Sequence, residues 1–187
     1  MKAYVTIFAL TFALTIAIAT PARAQVIFSN GPIGIVAWTA VPANCTISRG
    51  GGLKANTGNG GVTFHPTSYG TISLSCYVTS LMRVDPTAVN AFGLTFINNN
   101  GFVGGVNQCT ISSTVGAYPY AGGFPTAIGA FSTAGQNFTT QETANVPLTD
   151  FLNVDTNMYT VSISLVRQTG ATCNPIVAAT FLEEVIQ

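Results

Sequence analysis

Period two dominates this chain. In MYTVSISLVRQ (158–168), Tyr159, Val161, Ile163 and Leu165 alternate with Thr160, Ser162 and Ser164, which predicts a strand with one buried and one solvated face. TISLSCYV (71–78) reads the same way, with Ile72, Leu74, Cys76 and Val78 inward and Ser73 and Ser75 outward. Further strands are predicted at VIFS (26–29), IGIVAWT (33–39), NCTIS (44–48), GVTFH (61–65), AFGLTFIN (91–98), GVNQCTISS (105–113) and IVAATFLEEV (176–185), with a weaker one over 127–133. Turn signals separate them: NGP, GGG, NTGNGG, NNNG, AGGFP and NP. Helical period persists for about one turn at most, at DPTAV (85–89) and PLTDFL (147–152). About nine or ten short strands with Gly and Asn turns predict an all-β, two-layer antiparallel β-sandwich, jelly-roll or Ig-like.

The first residues break this pattern. Lys2 precedes an uncharged apolar run from Val5 to Ala19, then Pro21 and the small-x-small triplet Ala22, Arg23, Ala24. That order predicts a secretory signal peptide over residues 1–24, cleaved between Ala24 and Gln25. A membrane-spanning helix wants roughly 20 apolar residues, and Pro21 and Arg23 interrupt this one. The expected product is periplasmic or secreted, without a membrane span after signal removal. No linker-like tract divides residues 25–187, so they are expected to form one β-sandwich domain.

Charge narrows the partners. Lys and Arg together number 6, as do Asp and Glu. Without the signal segment only Arg49, Lys54, Arg83 and Arg167 remain as bases. Displacing counterions from a phosphate backbone takes clustered bases, so nucleic acid is not an expected partner. Disorder is not expected either, because it combines few aliphatic and aromatic residues with high net charge. A folded domain with a neutral skin of Ser, Thr, Asn, Gln and Gly follows.

Four cysteines, Cys45, Cys76, Cys109 and Cys173, stand isolated along the chain. An even count in an exported chain reads as two disulfides. Structural zinc uses close pairs, and His65 is the only histidine, so no metal, no cofactor and no thiol nucleophile is expected. Three pairings are open. The preferred one joins Cys45 with Cys76 and Cys109 with Cys173, since each first member lies in a strand-like run and each second closes the next return of the chain. Loop closure would then contribute roughly 3.5 to 4.5 kcal/mol each. The motif CTIS occurs at 45–48 and again at 109–112, but the flanking residues do not match, so it reads as strand chemistry and not as a repeat.

Candidate catalytic sets are thin, and no catalytic residue is expected. The carboxylates are Asp85, Glu142, Asp150, Asp155, Glu183 and Glu184. Only the last two are adjacent, and strand neighbours face opposite sides. Their expected job is to charge a terminal strand and discourage edge pairing. His65 precedes Pro66 at a strand end and reads as a surface residue, and no G-x-S-x-G turn is present. Asp150, Asn153, Asp155 and Asn157 lack calcium-loop spacing and are expected to cap their own backbone. Sequons stand at Asn44 and Asn137.

The loop GAYPYAGGFPTAIGAF (116–131) is the one candidate binding segment, because Tyr118, Tyr120 and Phe124 lie among Gly and Pro without charge. Such rings form a platform for a glycan or another envelope protein, or fold over the sandwich end. Trp38, in an apolar strand, is expected in the core.

An early Cys45, GTISLSCYV, QCTIS, YTVSISLVR and CNP before the last strand resemble a loose set of small exported bacterial β-sandwich proteins with no assigned activity. That resemblance implies a fold and an extracytoplasmic setting, and carries no catalytic residue. CTIS with a second Cys 31 positions on is also similar to fimbrial or spore-coat-like subunits, which complete a neighbour's sheet with an N-terminal extension. VIFSNGPIGIVAWT would serve as that extension, although FLEEVIQ lacks the aromatic ending of pilins. The expectation is a non-enzymatic structural or binding module. Strand-exchange assembly and a small hydrolase are the alternatives.

Overall fold

The computed structural model describes residues 26–29, 31–48, 55–58, 61–82 and 84–186. The expected signal segment and its cleavage point lie outside the described residues.

Among the described residues fourteen strands form: β1 (Ile27–Ser29), β2 (Ile35–Ala40), β3 (Thr46–Ile47), β4 (Ala55–Asn56), β5 (Val62–Phe64), β6 (Gly70–Tyr77), β7 (Ala91–Asn98), β8 (Phe102–Val103), β9 (Val106–Asn107), β10 (Cys109–Pro119), β11 (Thr126–Ser132), β12 (Phe138–Pro147), β13 (Asn157–Arg167) and β14 (Ile176–Glu184). They make a seven-stranded sheet ordered β1-β12-β7-β14-β5-β4, with β2 also on β14, and a five-stranded sheet ordered β11-β10-β13-β6-β3. β8 and β9 form a separate hairpin. All pairings are antiparallel. The all-β two-layer sandwich is therefore the fold.

Alternation places the core. Ile72 and Leu74 of β6, Ile111 and Val115 of β10, and Val161, Ile163 and Leu165 of β13 are buried, facing Phe92, Leu94 and Phe96 of β7. Trp38 joins them at 5% exposure. A phenylalanine cluster closes one open side of the sandwich: Phe96 contacts Phe131 and Phe138 at ring-centroid distances of 5.3 and 4.9 Å, and Phe28 contacts the same two at 6.2 and 5.3 Å. The sulfurs are bonded Cys45 to Cys76 and Cys109 to Cys173.

Several expectations need correction. β12 arises from FTTQETANVP, in which Thr139, Thr140 and Gln141 are polar and exposed on both faces, so no alternation announces it. It forms because β1 and β7 pair with its two edges, and the buried Thr143 hydroxyl lies 2.9 Å from that of Thr95. DPTAV is a three-residue 3-10 turn at Pro86–Ala88, capped by Asp85, and PLTDFL holds no helix. β10 runs through Tyr118 to Pro119, so the aromatic loop is shorter than its composition indicates.

β14 is not an edge strand, because β7 occupies one side and β5 and β2 share the other. Glu183 consequently does not charge an open edge. It is fully buried, and one carboxylate oxygen accepts from the backbone N–H groups of Ile33 and Gly34, both at 3.0 Å. Burial raises its pKa above the ordinary glutamate value, and those two hydrogen bonds oppose the shift. The N-terminal extension is likewise engaged within its own chain. β1 lies along β12, β2 lies along β14, and the Asn145 amide donates to the Ser29 hydroxyl at 2.9 Å.

Candidate functional site at the loop end of the sandwich

Strand register gathers three connections at one end. Pro119 pairs with Asn157, Tyr77 with Thr160, and Pro147 with Ala91. The connections 120–125 and 148–156 and the described residues 78–82 and 84–90 therefore emerge together. Backbone hydrogen bonds knit them: Tyr120 N–H donates to Thr156, Thr149 N–H to Ile128 and Leu148 N–H to Asn90, at 2.9, 2.7 and 2.8 Å.

Two clefts open among these loops. One, of about 380 Å³, has an apolar wall that includes Leu81, Val84, Tyr120, Val154 and Met158. The other, of about 550 Å³, is lined by Phe151 and by Asp85, Asp150 and Asp155. They share Pro86, Val154, Asn157 and Tyr159 as lining, and so adjoin one another. Tyr159 supports the shared wall from below, its buried hydroxyl accepting from Asn153 N–H at 2.6 Å.

The rings do not fold over the sandwich end. Tyr120 is 64% exposed, Phe151 66% and Phe124 94%. Of the sequence-designated residues, Tyr120 borders the first cleft. Phe124 stands out from the loop into solvent. Tyr118 is on the outer face of β10, where a β-carbon on Gly116 would sit 3.0 Å from its ring, so the ring lies down over the strand. Phe151 and Met158 were missed by sequence reasoning. Phe151 follows Asp150 in the connection between β12 and β13, Met158 follows Asn157 at the start of β13, and only the convergence of loops makes each part of a site.

Asx chemistry in the 150–157 loop serves the backbone as expected. Asp150 accepts from Phe151 N–H at 2.8 Å and Asn153 from Asp155 N–H at 3.2 Å. Asp85 accepts from both the hydroxyl and the N–H of Thr87 at 2.7 and 2.8 Å, and these bonds, the hydroxyl first, hold its carboxyl below the usual value. Among the described residues no group of three His, Cys, Asp or Glu side chains is placed to hold a metal ion. No helix of the described residues is long and apolar enough to cross a membrane. His65 is exposed at the end of β5, with Nδ1 3.4 Å from the Thr67 hydroxyl.

No protein-family model and no curated protein matches the sequence. Among solved structures it is similar to the family 11 carbohydrate-binding module of a cellulosomal cellulase of Clostridium thermocellum, with 10% identity and a TM-score of 0.40 over 82% of this chain and 90% of that one. It is similar also to a family 36 carbohydrate-binding module solved with calcium and xylotriose, at 12% identity and a TM-score of 0.39 over 78% and 99%. A family two carbohydrate esterase from Cellvibrio japonicus aligns at 13% identity and a TM-score of 0.38, over 87% of this chain. The chain spans about a third of that esterase, 34%. Likenesses this distant say nothing of ligand or activity, and the sandwich itself rests on the strand pairing described above.

Proposed function

We propose that this protein is an extracytoplasmic, non-catalytic module that binds a glycan at the loop end of its sandwich. One observation carries the reading: exposed Tyr120 and Phe151 border two adjoining clefts whose remaining walls mix aliphatic side chains with Asp and Asn. A pyranose has apolar C–H faces and a hydroxyl periphery, and concave sites with rings and a few convergent polar groups match both. Export rests on the N-terminal pattern, and two disulfides are in keeping with an oxidising compartment. The test is retention of the purified chain on insoluble cellulose, chitin, xylan and mannan. Retention on at least one of them, weakened by Tyr120→Ala or Phe151→Ala without loss of fold, supports the reading. Equal passage through all four overturns it.

A small hydrolase is the second reading, favoured by Asp85, Asp150 and Asp155 lining one cleft. Glycoside hydrolysis needs one carboxyl kept protonated as general acid. The Thr87 bonds act on Asp85 in the opposite direction. Release of soluble sugar from a retained polysaccharide, abolished by Asp150→Asn or Asp155→Asn, would establish this reading.

Strand-exchange assembly finds less support, because the N-terminal segment that would be donated is paired to β12 and β14 of its own chain.

A further inference from the structure

The outer face of the five-stranded sheet carries hydroxyls in register. Thr46, Ser75, Ser162 and Thr114 are successive Cα partners across β3, β6, β13 and β10. Ser73, Ser164, Ser112 and Ser132 make the next row, across β6, β13, β10 and β11. Neighbouring strands lie about 4.8 Å apart and alternate residues about 6.8 Å apart along a strand, so these rows form a regular grid. Tyr77, Thr160 and Gly116 make the row nearest the loop end. There Tyr77 is 51% exposed, and the Tyr118 ring lies over Gly116.

The two sheets treat their hydroxyls differently. In the seven-stranded sheet Thr95 and Thr143 bond to each other, Thr180 donates to the Gly93 carbonyl at 3.1 Å, and Thr63 donates to the Pro175 carbonyl at 2.9 Å. On the five-stranded sheet's outer face Ser132 accepts from Ala134 N–H at 3.2 Å. Among the described residues, no hydrogen bond ties up the hydroxyls of Thr46, Ser73, Ser75, Thr114, Ser162 or Ser164. These two rows also hold no carboxylate, amine, guanidinium or imidazole. Arg167, at the end of β13, is committed to the carbonyls of Pro66, Ser68 and Ala171 at 3.1 to 3.3 Å.

A concavity lies beside this face. A cleft of about 420 Å³ opens beside it, lined by Tyr77, Thr46 and Ser75 from the face and by Asn44, Val41 and Thr79 from its border. Thr79 also lines the apolar loop-end cleft, so the two clefts are neighbours.

We infer that this face and its side cleft are a second glycan subsite, with Tyr77 as its stacking ring, taking further units of a neutral polysaccharide chain held at the loop end. An uncharged, unsatisfied donor-and-acceptor grid complements a chain of hydroxyls and offers nothing to pair with a carboxylate or sulfate. Tyr77 supplies the apolar contact that hydroxyls alone lack. The inference rests on the loop-end reading, and length dependence separates the two.

Calorimetric titration with two- to six-unit oligosaccharides of whichever polysaccharide retains the protein tests it. Affinity is expected to rise at least tenfold from two units to six. Tyr77→Ala is expected to lower six-unit affinity about tenfold and to leave two-unit binding unchanged, with Ser162→Lys acting in the same direction. Thermal unfolding midpoints matching the parent confirm that both variants fold, and Tyr77→Ala, at an exposed side chain, keeps the test decisive if Ser162→Lys does not. Affinity independent of length, or six-unit binding untouched by Tyr77→Ala while Tyr120→Ala abolishes it, overturns the second subsite and leaves the loop-end reading standing. No retention on any of the four polysaccharides overturns both.

Discussion

Gly34 lies directly against the backbone of Glu184: a β-carbon at Gly34 would stand 2.1 Å from the Glu184 carbonyl oxygen. The neighbouring residue of β14, Glu183, accepts from the Gly34 N–H. The N-terminal crossing is thus held by a close backbone approach and by a buried carboxylate in the same two residues of β14.

Gly34→Ala should be costly, because the clashing atom is backbone and cannot rotate away. A loss of about 3 kcal/mol is expected, read as a lower urea midpoint with an unchanged slope. A variant as stable as the parent would show that the crossing sits further from β14.

Glu183 makes stability depend on pH in a defined direction. Its pKa is raised in the folded state, so the fold gains from its protonated form. That contribution is complete below the unfolded glutamate value of 4.5 and is lost as pH rises through the higher folded value. Glu183→Gln keeps an acceptor for Ile33 and Gly34 and removes the charge. The stability difference between variant and parent should therefore shift in the variant's favour between pH 4 and pH 7. A difference that stays flat would mean that the carboxylate is solvated.

Gly93 is buried under a ring. A β-carbon there would stand 2.0 Å from Phe181, its register partner on β14. Gly93→Ala should cost about 1 to 3 kcal/mol. The double variant Gly93→Ala/Phe181→Leu should recover part of that loss, and a thermal unfolding cycle over the four proteins reads the coupling.

The Cys109–Cys173 bond closes the longer loop, with a sequence separation of 64. Replacing both cysteines by Ser should lower stability by about 4 kcal/mol, more than the same change at Cys45 and Cys76, whose separation is 31. Denaturation in urea compares the two pairs. Because the second pair also anchors β3 beside Tyr77, its loss should weaken long-oligosaccharide binding more than the loss of the first.

Period-two strings were sufficient for β6 and β13, where the inward residues Ile72, Leu74 and Cys76, and Tyr159, Val161, Ile163 and Leu165, are apolar or aromatic and their burial is a local consequence of the pleat. Cysteine count and isolation likewise pointed to two bridges. β12 was illegible, because its polar Thr143 and Asn145, on the face opposite the core residues Ala144 and Val146, are buried only through partners on β7 and β1. Glu183 was misread for a related reason: whether a strand is an edge depends on which segments reach it, and β2 and β7 come from far along the chain.

The candidate site divides the same way. Local composition singled out Tyr120, since a ring among Gly and Pro is visible without a fold. Phe151, Met158 and Tyr77 carry no such mark. By itself the sequence determined what the regularly alternating strands β6 and β13 turn inward, because side-chain direction follows from the pleat one residue at a time. Only the tertiary structure decided which loops share an end and which serines share a row, because strand register joins residues whose separation along the chain is not encoded in any local pattern.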